Sequence, residues 1–123
     1  MRPDHLLRKA ADDRGRHAEA RAAAALEGEG WRVLARRVRT PAGELDLVAE
    51  REGLLAFVEV KARATLGAAA FALGAAQRRR LLGAAEAWLA AHPGHGAAGV
   101  RFDMIMVDGA GRVRRIADAF RLE

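Results

Sequence analysis

Hydrophobic and polar residues alternate through the middle of this chain, and such alternation is typical of β-strands. Two alternating runs, residues 44–51 and 54–61, are separated by Glu52 and Gly53, a pair that favours a tight hairpin turn. The pattern therefore predicts an antiparallel hairpin. Residues 31–39 and 100–108 predict two further strands, and residues 112–120 predict a final edge strand or an extended tail.

Apolar positions spaced three and four residues apart predict a helix on each side of these strands. Asp12 or Asp13 is the expected N-cap of the first helix, which runs through an alanine-rich stretch and stops at Gly28. The second helix is expected over Gln77–Ala91, after a poorly periodic loop at residues 64–76. Its predicted core stripe consists of Leu81, Ala85, Trp88 and Leu89.

The order of these elements predicts the fold class. A helix, three strands, a second helix and one or two further strands give a mixed β-sheet flanked by helices, an α/β arrangement. With 123 residues the chain is expected to form a single domain, 1–123, in which residues 1–12 are a candidate disordered arm.

The hairpin turn also sets a register between its two strands. A two-residue turn at Glu52 and Gly53 places Arg51 opposite Leu54. One face of the hairpin is then apolar beyond the turn and is expected to pack against a core. Its predicted opposite pairs are Ala49 with Ala56, Leu47 with Val58 and Leu45 with Val60.

The other face of the hairpin carries charges where a sheet would favour apolar side chains. The register places Asp46 opposite Glu59 and Glu44 opposite Lys61. Like charges placed opposite one another destabilise a sheet unless a proton, a nearby ammonium or a divalent cation offsets them. Mg²⁺ suits such a pair, since it takes one or two carboxylates and keeps several waters. Alternatively, Glu44 and Lys61 form a plain cross-strand ion pair and Asp46 caps a loop.

The composition adds constraints on partners and location. The formal net charge of +5 favours a polyanionic partner such as a nucleic acid. Cysteine is absent, which excludes thiolate metal sites and cysteine nucleophiles. No segment approaches the roughly 20 apolar residues of a membrane span, so a cytoplasmic protein without a membrane partner is expected. Among the 21 basic residues only Lys9 and Lys61 are lysines, which makes a lysine within a strand notable.

Two sequence motifs carry a family resemblance. "AGELDLVA" followed by "FVEVKAR" resembles the D-x(n)-E-x-K signature of restriction-endonuclease-like nucleases. With "GRHAEARAAAAL", "QRRRLLGAAEAWLA" and "VRFDMIMV", the pattern over residues 14–120 resembles the YraN family of small endonuclease-like proteins. The resemblance implies an αβββαβ core, with relatives that include archaeal Holliday-junction resolvases.

The resemblance also implies roles for individual residues. Asp46 and Glu59 would ligate Mg²⁺ or Mn²⁺, and Lys61 would position the attacking water or stabilise the phosphorane. Glu19 matches an acidic residue that related nucleases add from the first helix, and its helical spacing turns it inward. Gln77 matches a position where some relatives carry an active-site glutamine, although many YraN-like sequences have lysine there. Glu44 and Gln77 are therefore accessory candidates.

The leading hypothesis is a Mg²⁺-dependent endonuclease acting on nucleic acid, with structured or branched DNA favoured. A two-fold junction substrate would suit a homodimer. The second hypothesis is a non-catalytic nucleic-acid-binding module with a vestigial nuclease site, and the third is a protein-interaction domain whose acidic face binds a basic partner. The arginines expected to contact phosphates are Arg36, Arg37, Arg39, Arg78, Arg79 and Arg80.

Overall fold

In the part of the chain that the structure describes, the fold is a mixed five-stranded sheet between two helices, as the sequence pattern predicts. The computed structural model of the chain describes residues 3–65 and 74–120, so most of the predicted loop at 64–76 lies outside the described residues. The elements are α1 (Pro3–Gly28), β1 (Arg32–Thr40), β2 (Gly43–Arg51), β3 (Leu54–Ala62), α2 (Ala75–Ala91), β4 (Gly99–Val107) and β5 (Val113–Phe120).

The strands lie side by side in sequence order, β1-β2-β3-β4-β5. Among the described strands β3 and β4 form the parallel pair, and α2 lies between them in the chain and covers one face of the sheet. The other neighbouring strands are antiparallel, including β5, so residues 112–120 contain a paired strand. This arrangement confirms the predicted α/β class and is consistent with a restriction-endonuclease-like core.

The two helices cover opposite faces of the sheet and create two hydrophobic cores. Fully burying one side chain of leucine size contributes about 1.5–3 kcal/mol, so both faces stabilise the fold. The core beneath α1 contains Ala18, Ala22, Ala23, Leu26, Trp31, Leu47, Ala49, Ala56, Val58, Ile105 and Val107. The core beneath α2 contains Leu45, Val48, Leu55, Phe57, Leu81, Ala84, Ala85, Trp88, Phe102 and Met104.

The first helix is longer than the sequence pattern predicts. It begins at Pro3, so Asp12 and Asp13 lie inside it and the predicted N-cap is wrong. Proline needs no hydrogen-bonded N–H in the first turn, and the leucines, arginine, lysine and alanines that follow favour helix. Leu6 and Leu7 are 50% and 70% exposed, so this first part of α1 projects beyond the core.

The β2–β3 hairpin follows the predicted register from Arg51 opposite Leu54 as far as Leu47 opposite Val58. The turn residues Glu52 and Gly53 both have positive φ, 51° and 80°, the left-handed pair that a type I′ turn requires. Gly53 meets this requirement without the steric cost that a side chain would add. The predicted turn and the near half of the register are therefore confirmed.

The predicted register fails beyond that point. Leu45 packs in the α2 core with Val48, whereas Val60 packs against the α1 core, so they do not form the expected same-face pair. Here β2 separates from β3 while it stays paired with β1, and opposite this point Arg37 takes a left-handed backbone conformation with φ 50°. The interruption of strand alternation moves Leu45 to the other face.

A second irregularity lies in β1. The register with β2 shifts between Val33 and Ala35, and Leu34 and Ala35 both pack against the α2 core. Ala35 therefore lies on the opposite face from Trp31 and Val33, because a bulge adds one residue to the strand.

Candidate active site

The predicted acidic residues meet where β2 and β3 diverge. Asp46 lies on β2 just beyond the last β2–β3 pair, and its Oδ2 accepts a hydrogen bond from the Val60 backbone N–H at 2.8 Å. Beyond this point β3 stays paired with β4, with Glu59 beside Met104. The Asp46 side chain thus satisfies a β3 backbone donor that a longer β2–β3 ladder would have satisfied.

Asp46 and Glu59 are not the cross-strand ladder pair that the hairpin pattern predicts, yet their charges interact. Burial is the main cause that raises the pKa of Asp46 to about 7, and the charge of Glu59 raises it further. Glu19 and Glu44 also raise this pKa, while the Val60 N–H lowers it. The electrostatic conflict expected between Asp46 and Glu59 is therefore present at the divergence of the strands.

Two donors from different elements contact one oxygen of Glu59. Lys61 Nζ lies 3.2 Å from Glu59 Oε1, and Gln77 Nε2 of α2 donates to the same oxygen at 3.1 Å. All three side chains are partly buried. Gln77, whose departure from the family pattern put its role in doubt, therefore lies in direct contact with the acidic pair.

Glu44 is placed differently from its predicted position. It pairs with Arg39 across the β1–β2 ladder and not with Lys61, so the expected Glu44–Lys61 pair is wrong. The Arg39 Nε to Glu44 Oε2 distance is 4.0 Å, and both side chains are well exposed. Such an exposed pair contributes little to stability. The charge of Glu44 still raises the pKa of Asp46, so Glu44 lies at the edge of the site.

Glu19 of α1 lies near Asp46, on the face of the sheet that α1 covers and α2 does not. Its Oε2 accepts a hydrogen bond from Arg37 Nε at 2.5 Å. Arg37, which is predicted to be a phosphate contact, is bonded to the Glu19 carboxylate and keeps 41% of its side chain exposed. Residue spacing gives no signal of this contact, because it depends on the left-handed backbone at Arg37.

The other arginines assigned to phosphate binding lie on two elements close to each other. Gly83 lets α2 pack against the β1–β2 turn, since a β-carbon there would lie only 2.8 Å from Ala42 Cβ. On the same side, a β-carbon on Gly43 would lie 3.5 Å from Arg80 Cβ. Arg36 pairs with Glu27 of α1 at 3.6 Å, and Arg78, Arg79 and Arg80 have exposed side chains.

Asp46 and Glu59 are a pair of candidate metal ligands and are not part of a larger ligand set in the described residues. Within residues 3–65 and 74–120, no three His, Cys, Asp or Glu side chains are arranged to hold a metal ion. Two carboxylates are nevertheless enough for Mg²⁺, which completes its coordination with water. Burial and the charge of Glu59 raise the pKa of Asp46, so a cation bound beside this carboxyl would favour its ionised form. The donor set of Asp46 and Glu59 therefore fits a hard divalent cation.

A second cluster of buried charge has a structural role. The Asp103 carboxylate, with its side chain 0% exposed, accepts from Arg101, Arg115 and the Asp118 backbone N–H. Arg101 and Arg115 also lie over the Trp31 ring, about 5 Å from its centroid. This network joins β4 and β5 to each other and to Trp31 in the segment between α1 and β1.

The fold places this protein in the α/β class, with a mixed sheet that is consistent with a restriction-endonuclease-like core, and Asp46, Glu59 and Lys61 lie where β2 and β3 diverge. The model of the Uncharacterised protein family UPF0102 matches residues 18–107. The chain therefore belongs to the UPF0102 family, the YraN family that its motifs resemble.

Individual relatives agree with this assignment. A UPF0102 protein of Granulibacter bethesdensis is 62% identical over 109 residues, which cover 89% of this chain and 69% of the relative. A UPF0102 protein of Bradyrhizobium sp. is 52% identical over 92% of this chain and 80% of its own length. One from Azorhizobium caulinodans is 50% identical over 98% and 92%. None of these names states an activity.

The described part of the chain contains no helix that is both long enough and apolar enough to cross a membrane.

Proposed function

We propose that this protein is a metal-dependent endonuclease that hydrolyses phosphodiester bonds in nucleic acid. The observation that carries the proposal is the convergence of Asp46, Glu59 and Lys61 at one point, where burial and repulsion raise the Asp46 pKa to about 7. Active sites are places where such electrostatic conflicts are retained at a cost in stability.

The side chains of the site would have different roles in the reaction. Asp46 and Glu59 would hold Mg²⁺ or Mn²⁺, which supplies positive charge for water activation and for phosphate neutralisation. The Lys61 ammonium can donate a hydrogen bond to the attacking water or to the negative charge that develops on the phosphoryl oxygens. Gln77 fixes Glu59 through their 3.1 Å hydrogen bond, so it acts as a positioning residue.

The proposed substrate class follows from charge. The net charge of +5 and the arginines near the β1–β2 turn favour a phosphate backbone, whereas the aromatic fraction of 5% gives little surface for base stacking. Recognition would therefore depend on backbone shape, which suits structured or branched DNA, and a two-fold junction would suit a homodimer. We place the activity in the cytoplasm, where a chain without cysteines needs no oxidising environment.

One observation favours a second candidate function. Glu19 is bound to Arg37 and is not open toward Asp46 and Glu59 as a third ligand would be. A nucleic-acid-binding module with a vestigial nuclease site is therefore the alternative.

Removal of the Lys61 ammonium tests the first proposal against the second. Lys61→Ala should lower Mg²⁺-dependent cleavage of a branched DNA by about 100-fold or more, with DNA affinity within about twofold. Lys9→Ala is the matched control, since it removes the other lysine, which is exposed on α1, and should cleave normally. Unchanged cleavage in Lys61→Ala would contradict its role. Salt-sensitive DNA binding without cleavage by the wild type, in Mg²⁺ or Mn²⁺, would favour the vestigial module.

A further inference from the structure

Arg37 has an unusual position within the sheet. Its φ is 50°, a left-handed conformation that is uncommon for a residue with a long side chain. The residue lies on β1 between Arg36, which is opposite Leu47, and Val38, which is opposite Leu45. The conformation therefore coincides with the point where Asp46 leaves the β2–β3 ladder.

The Arg37 guanidinium is held by the acidic group. Its Nε contacts Glu19 Oε2 at 2.5 Å, and the Glu19 side chain is only 17% exposed, against 41% for Arg37. The hydrogen bond to Glu19 is the main cause that raises the Arg37 pKa, and the charges of Glu19, Glu44 and Asp46 add to it. Arg37 is thus bonded directly to Glu19, and the charges of Glu44 and Asp46 also favour its cationic form.

A divalent cation bound by Asp46 and Glu59 would enter the same electrostatic field. It would attract the Glu19 carboxylate and repel the Arg37 guanidinium. Arg37 is bonded to Glu19 Oε2, so a divalent cation that shared this carboxylate would weaken its attraction to the guanidinium. Because Arg37 is the more exposed partner, its side chain is the one with room to move.

We propose that Arg37 is a built-in counter-ion for the acidic site, and that it competes with a divalent cation for Glu19. The proposal rests on the metal binding assumed in the proposed function, and it gives Arg37 a positioning role. A divalent cation held by Asp46 and Glu59 would draw the Glu19 carboxylate away from Arg37. The affinity for metal would be lower than the carboxylates alone would give, because the Arg37 charge repels the cation and attracts Glu19.

Calorimetric titration with Mn²⁺ tests the competition without any measurement of cleavage. Arg37→Gln should bind Mn²⁺ about fivefold more tightly than the wild type. Arg36→Gln is the matched control: it removes the same charge from the neighbouring position on β1, whose guanidinium pairs with Glu27 instead. It should change the affinity by less than about twofold.

The role of Glu19 is tested by a double-variant comparison. If Arg37 acts through Glu19, Arg37→Gln should have no larger effect than Arg36→Gln in a Glu19→Gln background. Arg37→Asn gives a second neutral variant if Arg37→Gln does not fold, because asparagine tolerates the left-handed conformation. Its Mn²⁺ affinity should also rise.

Three results would overturn the proposal: equal Mn²⁺ affinity in the neutral Arg37 variants and Arg36→Gln, weaker binding in the Arg37 variants, or no Mn²⁺ uptake by the wild type and the Arg37 variants. A separate assay distinguishes failure of the proposed function. If the affinities follow the expected order while the wild type cleaves no linear or branched nucleic acid, the competition stands and the nuclease activity is refuted.

Discussion

At the scale of single residues, Asp46 is the group whose ionised form is most unfavourable in the site. Its pKa is raised from the ordinary 3.8 to about 7, first by burial and then by the charge of Glu59. The folded protein therefore holds this proton more tightly than the unfolded chain does. Stability from this group is fully present below the unfolded pKa, falls as pH rises, and is lost above about pH 7.

Asp46→Asn should therefore stabilise the protein in a pH-dependent way. The asparagine oxygen can still accept the Val60 N–H, but the buried negative charge is gone. We expect the free energy of unfolding to rise by about 1–3 kcal/mol at pH 8, and the gain to vanish near pH 4. Urea denaturation at both pH values measures it. Glu86→Gln, which neutralises an exposed carboxylate on α2, is the control, and a gain that is independent of pH would refute the explanation.

Gln77 offers a second test at this scale. Gln77→Ala removes the donor to Glu59 Oε1 and leaves Lys61 as the remaining contact that the structure gives this oxygen. Loss of such a supporting hydrogen bond typically costs 10–100-fold in metal affinity or activity, so Mn²⁺ binding should weaken about tenfold. Calorimetry measures this, with Glu86→Ala on the same helix as the control. Unchanged binding would show that Gln77 does not position Glu59.

At the scale of secondary-structure elements, much of the fold could be predicted from the sequence. Alternation and the Glu52–Gly53 turn give the hairpin, and charges in otherwise apolar strands single out Asp46, Glu59 and Lys61. The sheet face that Leu45 occupies could not be predicted. Beyond Leu47, β2 stays paired with β1 but not with β3, and the hairpin pattern of β2 and β3 contains no signal of this separation. The Arg37–Glu19 contact depends on a backbone conformation that side-chain periodicity does not encode.

The Asp103 network links β4, β5 and the α1–β1 connection through one buried charge. Asp103→Asn keeps an acceptor for the Asp118 N–H but leaves Arg101 and Arg115 without their shared carboxylate. Breaking a buried ion pair from one side costs about 3–5 kcal/mol of unfolding free energy, and we expect that loss here. Urea denaturation measures the change.

The matched control for Asp103 is Glu27→Gln. This variant breaks the exposed pair with Arg36, and exposed pairs contribute about 0–1 kcal/mol. Trp31 provides a local readout, since Arg101 and Arg115 both lie against its ring. Its fluorescence should change in Asp103→Asn and stay constant in Glu27→Gln. A similar loss of stability in both variants would show that the Asp103 network contributes no more to the free energy of unfolding than an exposed ion pair does.

At the scale of the whole molecule, the positions of the charged residues matter more for the proposed nucleic-acid binding than the net charge does. The chain has a net charge of +5, yet the carboxylates Glu19, Glu44 and Glu59 all lie close to Asp46. The β1–β2 turn packs against α2 beside Arg80, which brings positive charge to the same side as Gly43. This placement would allow a phosphate backbone to contact the arginines at the rim while Glu19 and Glu59 stay largely buried.

This arrangement predicts how nucleic-acid binding responds to salt. Each phosphate contact contributes about 0.9 to the slope of log K against log salt for duplex DNA. The double variant Arg79→Gln and Arg80→Gln should lower that slope by about one, since adjacent helical residues diverge and only one is expected to contact phosphate. The double variant Arg14→Gln and Arg16→Gln removes the same charge from exposed positions on α1 and should leave the slope nearly unchanged. Fluorescence anisotropy between roughly 50 and 200 mM salt measures both slopes. Equal slopes for the two variants would mean that overall charge, and not a rim beside the acidic site, holds the nucleic acid.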